Sequence, residues 1–84
     1  MKLTNLSIKT EYLLEILHTN QRITTKLRAY IRLCEIALYY NEKEPKFSLI
    51  LTQRLIRWFH RQPAAHRIYF SNYKRSLVTG ISFP

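Results

Sequence analysis

Eighty-four residues carry fourteen Lys and Arg against five acidic side chains, for a formal charge of +9, a balance that resists compaction unless offset and favours a polyanionic partner. A chain this short buries only about two-thirds of the surface it exposes when unfolded, and Cys34, its one cysteine, excludes an internal disulfide framework. The longest apolar run, Ile36–Tyr40, falls far short of the roughly 20 residues that span a bilayer. The opening Met1-Lys2-Leu3-Thr4-Asn5-Leu6-Ser7 lacks a secretory apolar stretch, so the expectation is one cytoplasmic domain over residues 1–84 that does not engage membrane.

Glycine occurs once, at Gly80, and proline at 45, 63 and 84, leaving intervals long enough for helices. A first helix is predicted to begin after Ser7 or Thr10, either of which can cap free backbone N–H groups, with Glu11 and Glu15 near the positive end of its dipole. Leu13, Leu14, Ile16 and Leu17 form its apolar side, and the polar stretch His18-Thr19-Asn20-Gln21-Arg22 ends it. A second helix is predicted from about Thr25 to Asn41. Its Leu27, Tyr30, Ile31, Leu33, Cys34, Ile36, Ala37 and Leu38 cover well over half the circumference and leave Arg28, Arg32, Glu35 and Tyr39 on a narrow polar strip, as in a central, mostly buried helix. That much apolar surface also leaves room for a homodimer.

After a charged connector at residues 41–46, a third helix is predicted with Ser48 as its N-cap and an end before Pro63. Leu49, Leu51, Leu55, Ile56, Trp58 and Phe59 gather on one side; Arg54, Arg57 and Arg61 gather on the other, with Ile50 among them and Gln53 and His60 flanking. The last segment is ambiguous. Pro63 followed by two alanines, with Ile68, Tyr69, Tyr73 and Leu77 at helical spacing and Gly80 as a stop, favours a helix, whereas Arg67–Ser71 and Leu77–Thr79 are β-prone and would suit a short β-hairpin. The expected fold is all-α, a small three- or four-helix bundle around the second helix.

Charge is distributed unevenly: residues 1–42 carry six basic and four acidic side chains, residues 43–84 eight and one, and no carboxylate side chain follows Glu44. The predicted binding surface is Gln53, Arg54, Arg57, His60 and Arg61 on the third helix with Arg67, Lys74 and Arg75 downstream, where guanidinium groups along one ridge can fork onto phosphate oxygens and displace counterions. Its partner is expected to be nucleic acid or, alternatively, an acidic protein surface of a nucleic-acid machine. In that second case the chain would be a compact inhibitor or adaptor of the kind that phages and other mobile elements encode against bacterial immune complexes. Trp58, Phe59, Tyr69, Phe70, Tyr73 and Phe83 interleave with these charges; exposed rings would suit unpaired bases, whereas core packing is the expectation for Trp58 and Phe59.

Catalytic chemistry is not expected. The chain has no aspartate, its five glutamates lie away from the basic region in sequence, and one glycine cannot build a phosphate-binding loop. His18, His60, His66 and Cys34 lack zinc-ligand spacing, so no metal or cofactor is anticipated. Arg61 to His66 and Arg54 to His60 resemble the Arg-x4-His and Arg-x5-His active-site spacing of the all-helical HEPN ribonucleases. That resemblance covers two residues each time and, in a chain so rich in arginine, assigns no active site.

Overall fold

Three short breaks, each built from polar residues or proline, divide the chain into four α-helices. The computed structural model describes residues 3–80 and contains α1 (Leu3–His18), α2 (Ile23–Tyr39), α3 (Pro45–Arg61) and α4 (Ala64–Thr79). The all-α expectation holds, and the hairpin alternative for residues 64–83 does not, since residues 64–79 are one helix; residues 81–84 lie outside the described residues. Phe70, Tyr73 and Leu77 share a face at helical spacing, with Phe70 and Leu77 buried and Tyr73 packed against the core. Their burial overrides the β-propensity of the individual residues. Gly80 stops the helix in the left-handed conformation, φ 72°, and its N–H donates to the Ser76 carbonyl at 2.8 Å.

The starts of the first three helices differ from the sequence expectation. α3 begins at Pro45 rather than beyond Ser48, because proline's fixed φ and missing N–H suit the first helical position. Ser48 is thereby released from capping and, buried, donates its hydroxyl to the Ala37 carbonyl of α2 at 2.6 Å. α1 begins at Leu3, so Ser7 and Thr10 are interior, and Glu11 and Glu15 stand beyond the first turn where the dipole would favour them. Thr10 is buried with no partner for Oγ1. α2 is offset by two residues from the predicted Thr25–Asn41.

The core is one cluster drawn from all four helices. α2 packs against each of the other three, and α3 also packs against α4, so neighbours in the same chain take up the broad apolar face of α2. Arg28, Arg32, Glu35 and Tyr39 remain exposed as its polar strip. At the centre, Tyr30, Trp58 and Phe70 meet pairwise, with ring centroids 5.4 Å (Tyr30–Trp58), 5.2 Å (Tyr30–Phe70) and 5.0 Å (Trp58–Phe70) apart and the two Phe70 contacts edge-on. Burial pushes the Tyr30 phenol well above its ordinary pKa, so it remains a donor, and its hydroxyl reaches the Leu55 carbonyl at 3.4 Å.

α1 joins this arrangement through its C-terminus. The last carbonyls of a helix have no partner within it, and here the Trp58 Nε1–H donates to the Leu17 carbonyl at 3.2 Å while Thr19 Oγ1 donates to the Ile16 carbonyl at 2.9 Å. Leu17 beside Trp58 and Glu11 beside Arg54 show that α1 and α3 run parallel. No helix among the described residues is long and apolar enough to cross a membrane.

Truncating Trp58 to alanine is expected to cost about 3–5 kcal/mol, and Trp58→Phe, which keeps a ring but leaves the Leu17 carbonyl unpaired, about 1–3 kcal/mol; urea unfolding measures both. Thr10→Val should raise stability by about 1 kcal/mol in the same assay, because it removes a buried hydroxyl that makes no hydrogen bond.

Candidate nucleic-acid interface

The phase of α3 is set by Leu51, Leu55, Trp58 and Phe59, which are buried. The opposite arc, exposed, carries Lys46, Leu49, Ile50, Gln53, Arg54, Arg57, His60 and Arg61. Leu49, expected on the apolar side, is 57% exposed, and Ile50 is 58% exposed among the cations. Arg54, Arg57 and Arg61 fall within about 60° of the helix circumference, and Arg57 and Arg61 are separated by about 6 Å of rise. They form the ridge that the spacing predicts.

The three arginines are not equivalent. Arg54 Nη1 donates to Glu11 Oε1 at 2.8 Å, with the two side chains 42% and 62% exposed. This corrects the expectation that every glutamate stays clear of the basic region: the parallel course of α1 beside α3 brings together two residues 43 positions apart in sequence. Among the described residues no carboxylate pairs with Arg57 or Arg61; the other ion pair is Arg32 with Glu35 at 3.9 Å on α2. The Arg54 pair lines a cleft of about 190 Å³ between α1 and α3, with Thr10, Phe47, Ile50 and Leu51, smaller than the roughly 300 Å³ at which small-molecule sites begin.

The cations of α4 divide between two sides. Arg67 and Lys74, seven residues apart and half-buried, share one face of α4, and Lys74 meets α3 with its Nζ 5.6 Å from the Phe59 ring centroid. His60 packs its ring edge-on to Phe59 at 5.4 Å, so the surface grades from Lys74 through Phe59 and His60 into the α3 ridge. Arg75 is exposed on the outer side of α4, turned by about 100° from Lys74, and does not join this surface. Lys46 is a member that the sequence expectation omits. Starting α3 at Ser48 leaves it in the connector, whereas a start at Pro45 places it on the same arc as Arg57; proline at the first helical position is the signal that could have found it.

The aromatic residues face the other way. Trp58 is 5% and Phe59 7% exposed, and Phe70 is fully buried. Tyr73 is half-buried against the core, and Tyr69, though exposed, lies on the flank of α4 away from Arg67 and Lys74. Phe83 lies outside the described residues. Arg61 and His66 stand on different helices, both exposed. Among the described residues no three His, Cys, Asp or Glu side chains gather as a metal site. Cys34 is buried, and burial together with the nearby Glu35 pushes its thiol far above the ordinary range, the opposite of an activated nucleophile.

No protein-family model, curated protein or solved structure matches the chain; the meaning of this surface therefore rests on its own geometry and charge.

Two outcomes check these assignments. Glu11→Gln should change stability by less than about 1 kcal/mol, as for other exposed pairs, measured by thermal unfolding. A thiol reagent should modify Cys34 only at the rate of unfolding, with fast native-state labelling as the contrary result.

Proposed function

We propose that this protein is a small non-enzymatic accessory or regulatory factor that docks on nucleic acid through the exposed arginine ridge of α3. The observation that carries this reading is the state of Arg57 and Arg61. Both stand in solvent on one helical ridge with no carboxylate beside them among the described residues, in a half-chain whose one acidic side chain, Glu44, precedes the helix. Groups so placed can each exchange condensed small ions for phosphate oxygens at little cost in protein rearrangement. Lys46, Gln53 and His60 widen the surface, and Arg67 and Lys74 extend it onto α4. Arg54 contributes less, because a phosphate must first compete with Glu11.

A second reading, an inhibitor or adaptor that mates with an acidic protein surface, has one observation in its favour. Leu49 and Ile50 are exposed beside the cations, and arginine mixed with apolar side chains is what the centre of a protein interface displays. Ile50→Ser separates the two readings: it should weaken an acidic-protein complex several-fold and leave binding to phosphates nearly unchanged.

Fluorescence anisotropy against a labelled polynucleotide is expected to show affinity falling steeply with salt, with Arg57→Gln and Arg61→Gln each reducing the logarithmic salt slope by about 1. Arg54→Glu, Arg57→Glu and Arg61→Glu combined should abolish binding. Arg57→Glu and Arg61→Glu should each change stability by no more than about 0.5 kcal/mol. Glu11→Gln, by freeing Arg54, should tighten binding. Affinity that ignores salt, or survives the triple substitution, would remove the ground for a nucleic-acid role.

A further inference from the structure

We infer that the nucleic acid taken by this surface is double-stranded and is held by its phosphate backbone, a step that rests on the docking role proposed above. Proteins that hold single strands combine a basic groove with rings on which unpaired bases stack. Here, among the described residues, the rings nearest the cations are engaged in packing: Phe47, half-buried beside Arg54, packs against the core and edge-on to Tyr40, and His60 sets its ring against Phe59. Trp58 and Phe70 belong to the central cluster with Tyr30, and Phe59, 7% exposed, lies under Lys74. Turning any of them outward would empty the core of a bundle this small.

Among the described residues the exposed tyrosine rings lie on other faces. Tyr12 is on the outer side of α1 and Tyr69 on the far flank of α4. Tyr39 stands at the end of α2, where it accepts a hydrogen bond from Lys43 Nζ at 2.7 Å, the same ammonium lying 4.1 Å from its ring centroid. None is placed to stack a base whose phosphate rests on Arg57 or Arg61.

Without stacking, binding depends on the release of condensed counterions, and this favours the more densely charged partner. A duplex carries one charge per about 1.7 Å of axis, and its affinity changes with salt by about −0.9 per contacted phosphate, against about −0.7 for a single strand. Rigidity acts in the same direction. Arg57 and Arg61 stand on a helix packed against α2 and α4, and a duplex already presents a regular charge array, whereas a flexible strand must be ordered to match it.

The test uses the full chain and four labelled probes of equal length, about 20 nucleotides per strand, at one salt concentration: duplex DNA, duplex RNA, oligo-dT and oligo-rU. Either or both duplexes should bind at least about ten-fold more tightly than both single strands, and Trp58 fluorescence should stay unquenched on binding. The two duplex arms distinguish DNA from RNA as the source of the shared backbone chemistry. Single strands binding as tightly as the duplexes, or quenching Trp58, would overturn the inference and leave the docking role intact. If no polynucleotide binds while polyglutamate does, both fall.

Discussion

The contact on which the rest depends is that of Trp58 with its surroundings. Its indole meets Tyr30 of α2 and Phe70 of α4, and its N–H closes an otherwise unpaired carbonyl at the end of α1. One side chain on α3 therefore touches every other helix. Because Trp58, Leu51, Leu55 and Phe59 must all point inward, the rotation of α3 is determined, and with it the outward direction of Arg57 and Arg61. Core and candidate site are two faces of one constraint: changing the phase of the helix to hide the arginines would expose the indole.

That coupling explains why so much of the candidate surface is legible in the amino-acid sequence. The division of α3 into an apolar and an arginine side follows from residue spacing alone, as does the polar strip of α2, because burial on one face of a helix leaves a period of 3.6 in the sequence. Gly80 is equally readable, since a left-handed terminal residue has few alternatives. Helix starts are not. Ser48 and Thr10 resemble caps because serine and threonine do cap helices, but Ser48 spends its hydroxyl on Ala37 across a helix pair and Thr10 is buried without a partner. Those outcomes depend on tertiary neighbours, which local sequence does not encode. The displaced start of α3 then conceals Lys46.

The Arg54–Glu11 pair lies furthest from what sequence can show. No spacing rule links residues on helices separated by a third; their meeting depends on α1 and α3 running parallel at one particular relative height. The pairing also refines the meaning of the charge count. Eight basic side chains against one acidic one in residues 43–84 suggest a uniformly cationic half-chain, whereas the structure grades it, from Arg54 tied to a carboxylate, through Lys74 leaning on an aromatic face, to Arg57 and Arg61, held by neither among the described residues. Interaction strength should follow that gradation more closely than it follows net charge.

α1 packs its backbone only against α2 among the described residues and reaches α3 through two side-chain hydrogen bonds, while the three-ring cluster lies wholly within α2, α3 and α4. Leu14 and Leu17 nevertheless anchor the first helix in the common core, and any local opening of it would withdraw the carboxylate that restrains Arg54. The seating of α1 and the effective valence of the arginine ridge are in this way thermodynamically linked: a polyanion that captured Arg54 would favour an opened edge, and tighter seating of the helix would dampen attraction for such a ligand.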